Sequence, residues 1–306
     1  MFHNTLDLMR ATEAAAIAAS HWVGTGDKLA ADKAATEAMR DRLNRVEFAA
    51  RIMIGEGKKD AACGLFNGEL VGKLQGQKGV PHYEIAVDPI DGTRPTVTSG
   101  PEALAVLALA EEKTLFATEE FYMNKIAYGP EIASKIELQL SDVPERTIQL
   151  ISAVTGKAAN KIMVCILDRP RHEKIIADFR RLGVRIKLIQ DCDVSGAIAT
   201  CLPDSGIDLL YGIGGAPEGV ISACAMKCLG GGFKGQLVKK DGTVTDPKVY
   251  GIKDLVGGHC AFSATGITSG SLLKGVRYTS RGPVTHSLVM RSESGTARWV
   301  TTYHGN

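Results

Sequence analysis

In the stretch "VDPIDGT", Val87 to Thr93, two carboxylates stand three residues apart, Asp88 and Asp91, with Pro89 and Ile90 between them. Asp, Pro and Gly are turn formers, so a plain turn accounts for the composition. The sharper reading is that the two acids share a cation. An apolar strand would deliver Asp88, Pro89 would stop the ladder, and the turn would bring Asp91 back beside it. Gly92 would allow close approach, and Thr93 would place a hydroxyl where it could orient a water.

Other acids fall in comparable places, just after an apolar run or at a helix start. Glu56 follows "RIMIG" with Asp60 four residues on, Asp191 and Asp193 follow "RIKLIQ", and Glu218 follows "LLYGIGGAP". Asp32 lies four residues after Lys28, where an i,i+4 surface pair worth about 0.2–0.5 kcal/mol is the simpler account. Ligands of open αβ sheets bind outside the carboxyl ends of strands. Carboxylates without His or Cys partners suit a hard cation such as Mg²⁺ or Mn²⁺, and two such ions can clamp both oxygens of a displacement. A phosphate monoester fits that chemistry in magnitude. Its hydrolysis needs up to about 10²¹-fold acceleration, whereas a lone general base supplies roughly 10²–10⁴. Charge stabilisation on the phosphoryl oxygens must supply most of the rest.

The elements that would carry these residues are legible in outline. Residues 5–22 and 27–46 read as helices, the second rich in strong helix formers. Apolar strands follow at 48–54, 84–88 and 103–110, with a hairpin expected around "FNGEL", where Asn67-Gly68 signals a type I′ turn. From about residue 156 the rhythm becomes strand–helix: "KIMVCILD" into "RPRHEKIIADFRRLG", "VRIKLIQD" into "VSGAIATCL", "GIDLLYGIG" into "PEGVISACAMKCLGG". That alternation predicts a parallel αβ layer. The tail returns to short strands, "HSLVMRS" and "TARWVTTYH". The change of rhythm places a boundary near 155, giving halves 1–155, with most of the candidate ligands, and 156–306, with Glu218. "GIGGAPEG" is no dinucleotide fingerprint, because Pro217 occupies the third glycine position.

Composition removes several function classes. Lys+Arg 36 against Asp+Glu 34 leaves a net charge of +2, with no basic stripe, which argues against a nucleic-acid binder. "ALAVLALA" is far short of the roughly 20 residues that span a bilayer, so no membrane partner is expected. The N-terminal stretch reads as an amphipathic helix rather than a signal peptide, and a cytoplasmic location is expected. The 7 cysteines include no Cys-x-x-Cys pair and the 7 histidines no His-x-x-x-His pair. Buried thiols, and no zinc, are the expectation.

Taken together, the motifs are recognisable. "DPIDGT" resembles the Asp-Pro-Ile/Leu-Asp-Gly-Thr motif of the lithium-sensitive, metal-dependent phosphatase superfamily, which includes inositol monophosphatases and fructose-1,6-bisphosphatases. With "GDKLAAD", "IGEGKKDAA", "FYMNKIAYGP", "CILDRPRH", "GIGGAPEGVISACA" and "LLKGVRY", the chain from about 5 to 304 resembles class II fructose-1,6-bisphosphatases, the bacterial type. Some members of that family also hydrolyse sedoheptulose 1,7-bisphosphate.

The resemblance implies an α/β fold, a layered α-β-α-β-α sandwich found as a homotetramer or dimer. The implied reaction is removal of the 1-phosphate of fructose 1,6-bisphosphate with Mg²⁺ or Mn²⁺, a step of gluconeogenesis. It implies metal ligands at Asp32, Glu56, Asp88, Asp91 and Glu218. Lys28 and Asp60 match residues that assist near the attacking water, and Thr93 the threonine that orients it. Substrate contacts would fall on Asp91, Gly92, Thr93, Tyr122, Arg169, Pro170, Arg171, Asp191, Cys192, Asp193 and Gly215. Arg169 and Arg171 follow an apolar run, and paired guanidiniums suit the phosphate that is not cleaved. Two Arg in a first helical turn oppose the helix dipole unless an anion is present.

Two positions depart from the family's commoner pattern: Asp91, where glutamate is frequent, and Lys58, where many members carry an acid. Neither removes a ligand. An inositol-type or nucleotide phosphatase is the alternative enzyme, but those relatives carry a Trp-Asp pair, and here Trp22 and Trp299 precede Val23 and Val300. A regulator that binds phosphometabolites without turnover is the third reading, and it has no need of the full acid set.

Overall fold

The computed structural model of the protein describes residues 5–55, 64–118 and 121–305. The chain opens with helices α1 (Thr5–Ser20) and α2 (Lys28–Leu43), then strands β1 (Ala49–Ile54), β2 (Leu70–Val71) and β3 (His82–Asp91). The short helix α3 (Thr93–Val97) leads to strands β4 (Leu104–Glu111) and β5 (Tyr122–Tyr128). Helices α4 (Pro130–Ala133) and α5 (Pro144–Thr155) precede an alternation of β6 (Met163–Leu167), α6 (Glu173–Arg181), β7 (Arg185–Ile189), α7 (Asp193–Ala199), β8 (Leu209–Gly215) and α8 (Ala216–Leu229). Then come β9 (Gly232–Val238), β10 (Val244–Gly251), α9 (Ile252–Leu255) and β11 (Cys260–Gly266). The last strands are β12 (Arg277–Thr279), β13 (Gly282–Arg291) and β14 (Thr296–Tyr303).

Two compact units result, one of Met1–Ala117 with Val256–Asn306, the other of Thr118–Leu255. The division expected near 155 is therefore corrected. Residue 155 ends α5 inside the second unit, and the tail after 256 returns to the first because β11 pairs with β4. A change of local rhythm marks a change of sheet topology, and strand pairing across more than a hundred residues leaves no local mark.

The first unit is built on a mixed sheet, described as eight strands in the order β12-β13-β11-β4-β3-β1-β2, with β14 on β13. Only β1 and β3 run parallel among its described pairs. Helix α1 packs on α2, β11 and β13 through an alanine-rich face, Ala11, Ala15, Ala16 and Ala19, all fully buried. Small side chains let a helix lie close to a sheet while still removing apolar area at roughly 25 cal/mol per Å². Two hydroxyls buried under α1 are matched: Thr12 Oγ1 meets Ser263 Oγ at 3.0 Å and Thr265 Oγ1 at 2.8 Å. Helix α2 begins where Asp27 caps it, its carboxylate accepting the Ala30 N–H at 3.1 Å. Every residue of β4 except the last is buried, as its unbroken apolar run predicts.

The turn at "FNGEL" differs from expectation. Gly68 has φ 95° but Asn67 is not left-handed, and the Glu69 N–H donates to the Phe66 carbonyl at 3.0 Å. That is the type II pattern, not type I′. The strand after it does pair antiparallel with β1, Ala50 opposite Val71.

The second unit carries a mixed sheet described in the order β10-β9-β5-β8-β6-β7. Strand β6 runs parallel to β7 and β8, as the alternation predicts, while β5, β9 and β10 extend the sheet antiparallel. Ile162, Val164 and Ile166 meet Ile176 and Phe179 of α6 in its core. Each unit is thus mixed α/β. Among the described residues no helix is long and apolar enough to cross a membrane, and no disulfide joins the described cysteines.

Candidate active site

In the first unit, β3 carries both acids of "VDPIDGT". The strand does not stop at Pro89, as the sequence led us to expect; it runs through to Asp91. Asp88 pairs with Val106 and Asp91 with Leu104, and the register slips between them. Pro89 sits in that irregularity, where its missing N–H costs no ladder bond. The Asp88 carboxylate accepts the Ile90 N–H at 3.0 Å, and Asp91 is buried. Gly92 follows with φ 103° and ends the strand, so that α3 can start at Thr93. Thr93 Oγ1 donates to Asp32 Oδ1 on α2 at 3.0 Å. Asp32 is therefore tied to the residue after the strand rather than standing only as a surface charge. Lys28 is the first residue of α2 and is exposed. Glu56 and Asp60 lie outside the described residues. Among the described residues no three acids, histidines or cysteines converge closely enough to hold a cation.

In the second unit, the candidate residues gather at the carboxyl ends of the parallel strands β6, β7 and β8. After β6, Arg169 pairs with Asp191, which follows β7, and Pro170 opens a single 3₁₀ turn through His172. Arg171 donates through Nε and Nη2 to the Ile213 carbonyl, at 3.2 and 2.6 Å. Its guanidinium lies 5.6 Å from the centre of the Tyr122 ring, within cation–π range. Burial disfavours the Arg171 charge first, and the neighbouring Arg169 adds to this.

His172, which the sequence did not single out, holds this corner. It is buried; its Nδ1 is 2.7 Å from the Leu167 carbonyl, and its Nε2 accepts the Ile213 N–H at 2.8 Å. An acceptor at Nε2 and a carbonyl at Nδ1 leave the proton on Nδ1, the neutral imidazole. Burial lowers its pKa below the ordinary value, aided by Arg171 and Arg169. The peptide of Ile213 is thus gripped at both ends, its N–H by His172 and its carbonyl by Arg171.

Asp193 opens α7 after Cys192, a non-glycine residue at φ 68°. The Asp193 carboxylate forms a buried ion pair with Lys125 of β5, Oδ2 to Nζ 2.7 Å. Lys125 also donates to the Gly215 carbonyl at 2.8 Å. Gly215 pairs with Tyr122 across β5 and β8 and stands before α8, whose third residue is Glu218. Glu218 Oε2 is shielded from solvent and has no hydrogen-bond partner. Burial raises its pKa first, Asp193 raises it further, and Lys125 opposes both. The paired glycines have a steric reason. A Cβ on Gly214 would lie 2.0 Å from Asp193 Oδ2, and one on Gly215 would lie 1.7 Å from Glu218 Oε2. "GIGGAPEG" makes room for two carboxylates, beyond what turn chemistry explains. Lys125 was invisible to sequence reasoning; a lone lysine inside "YMNKIAY" was its only signal.

Strand-end acids, one of them with an orphaned buried oxygen, and guanidiniums beside an aromatic ring suit a phosphorylated ligand; that the chain is a phosphoric monoester hydrolase follows from its family. The comparisons give the particular family. Residues 3–304 match the model of the bacterial fructose-1,6-bisphosphatase, glpX-encoded, and the chain belongs to that family. Two similar proteins carry the name D-fructose 1,6-bisphosphatase class 2/sedoheptulose 1,7-bisphosphatase. That of Synechococcus elongatus is 41% identical, covering 98% of this chain and 95% of the relative. That of Microcystis aeruginosa is 39% identical with the same coverage.

Proposed function

We propose that the protein hydrolyses the 1-phosphate of fructose 1,6-bisphosphate to fructose 6-phosphate and phosphate, and that it also accepts sedoheptulose 1,7-bisphosphate. The match of nearly the whole chain to the bisphosphatase family carries this reading, and the double name of the relatives favours the second substrate. The reaction adds water to the phosphorus and breaks its bond to the oxygen on C1, which leaves as the alkoxide and takes a proton.

In type, the implied ligands suit a hard divalent cation. The candidate donors are all carboxylates: the first unit offers Asp32, Asp88 and Asp91, with Glu56 the remaining ligand the family resemblance implies, and the second unit, taken by itself, offers Glu218. The shielded, unpartnered Oε2 of Glu218 is the atom a cation would complete. When bound, Mg²⁺ or Mn²⁺ supplies charge stabilisation at the phosphoryl oxygens and makes water a better nucleophile at neutral pH. Thr93, whose hydroxyl donates its hydrogen bond to Asp32, keeps lone pairs with which to accept a hydrogen bond from the attacking water. Lys28 and Asp60 are assigned to assist near that water.

Arg169 and Arg171 bind the phosphate that stays. An anion would offset both the burial and, after it, the repulsion from Arg169 that disfavour the Arg171 charge. Tyr122 packs beside it, and Asp191 and Asp193 accept sugar hydroxyls. We assign the protein to the cytoplasm as a homo-oligomer, tetramer or dimer, which light scattering on the purified protein would test.

The deciding experiment is phosphate release from fructose 1,6-bisphosphate, sedoheptulose 1,7-bisphosphate and inositol 1-phosphate, each with Mg²⁺, Mn²⁺ or chelator. Metal-dependent release from the sugar bisphosphates supports the reading. Release from inositol 1-phosphate alone rejects the substrate, and no release from any of them rejects the enzyme.

A further inference from the structure

We infer that Lys125 is a positioning residue, whose buried ammonium fixes the Asp193 carboxylate in the one orientation that meets a sugar hydroxyl. The inference rests on the reading of Asp193 as a sugar contact. Lys125 lies in the middle of β5 and is 1% exposed. An ammonium so placed is costly to desolvate, and a well-packed methionine would fill the same space more cheaply. Its contacts show what it does instead. One is the ion pair to Asp193 at 2.7 Å; another is the bond to the Gly215 carbonyl at 2.8 Å, which ties the start of α8 to β5.

Two further unfavourable features meet at this ion pair. Cys192, in a left-handed conformation that side chains rarely take, stands immediately before the buried Asp193. Gly214 gives up its side chain to the pair, since a Cβ there would lie 2.0 Å from Asp193 Oδ2 and 3.0 Å from Lys125 Nζ. A buried charge pair, a strained residue before it and an omitted side chain above it all serve the aim of one carboxylate. None of them is needed to close the sheet, which β5 and β8 already do through a continuous ladder from Tyr122 to Tyr128.

The test is calorimetric binding of fructose 6-phosphate to wild type, Lys125→Met, Asp193→Asn and the double variant, with KM and kcat for fructose 1,6-bisphosphate in parallel. Lys125→Met is expected to weaken fructose 6-phosphate binding at least tenfold and to raise KM by a similar factor, with kcat changed less than threefold. The double variant should bind no more weakly than Asp193→Asn alone, because Lys125 acts through Asp193. That last comparison also decides the matter if Lys125→Met fails to fold, since the double variant removes both charges.

A folded Lys125→Met that binds fructose 6-phosphate within twofold of wild type overturns the role, as does a double variant tenfold weaker than Asp193→Asn. A wild type that neither binds fructose 6-phosphate nor releases phosphate overturns the sugar reading, and the role of Lys125 with it.

Discussion

At the scale of the residue, Asp88 separates charge from geometry. Its side chain accepts the Ile90 N–H, and an asparagine oxygen can accept the same bond while carrying no charge. Asp88→Asn is therefore expected to keep the far-UV spectrum and unfolding midpoint of the wild type and to lose phosphate release by at least about 10²–10³-fold, the range seen when one stabilising group is removed from a transition state. Substantial residual turnover would reject the cation reading of this acid. Thr93 and Asp32 could be guessed from the sequence as separate candidates. Their bond could not, because it joins residues 61 apart along the chain.

Elements set where these residues point, and two junctions can be tested. Asp27 stands immediately before α2, which carries Lys28 and Asp32, and its carboxylate caps the helix. Asp27→Ala should cost about 1 kcal/mol in urea unfolding, the usual value of such a cap; an unchanged midpoint would show that α2 is held by packing alone. At the junction of β8 and α8, the atom a Gly215 Cβ would meet first is the end of the flexible Glu218 side chain, at 1.7 Å. Glu218 can swing away at little cost to the fold. Gly215→Ala should thus leave the unfolding midpoint nearly unchanged while lowering turnover by about 10²-fold, as displacements near 1 Å do at reacting centres. Equal losses of stability and activity would show that the glycine serves the backbone instead.

At the scale of the whole molecule, two histidines among the described residues have lowered pKa, one in each unit. His172 is held neutral by burial and two arginines, and His286 by burial, Lys274 and Arg277. The sign follows from proton counting. Below the ordinary value of 6.5 the unfolded chain binds protons that the folded histidines refuse, so stability falls as pH drops through the interval between 6.5 and the lowered folded values. Above 6.5 both states are neutral and the contribution is flat. The histidine contribution to urea midpoints measured from pH 8 to 5 should therefore hold level and then decline, while Glu218, its folded pKa raised by burial and by Asp193, acts in the opposite direction as pH falls through that raised value. His286→Asn keeps an acceptor for the Lys274 N–H and should lessen the decline. The carboxylates with lowered pKa, Glu137, Asp178, Asp241, Asp246 and Asp254, act in the same direction but at lower pH. A difference between the wild-type and His286→Asn midpoints that does not change with pH down to 5 would contradict the neutral assignment of His286.

The sequence by itself determined the helices α1 and α2, the all-buried strand β4, the alternation from β6 to α8 and the placing of arginines and acids at its strand ends. All of these follow from side-chain period and local stop signals, which act over a few residues. It also carried the family motifs. Only the tertiary structure decided that β3 continues through Pro89, because the pairing with β4 supplies an irregularity where a missing N–H is harmless. Tertiary structure alone returned the C-terminal strands to the first unit, through the ladder of β11 on β4. It also chose the partners: Asp191 for Arg169, the Ile213 peptide for Arg171 and His172, and Asp193 with Gly215 for Lys125. Those choices rest on distances between strands and helices far apart in sequence, and a buried charge settles on whichever opposite charge or dipole the packing brings within about 3 Å.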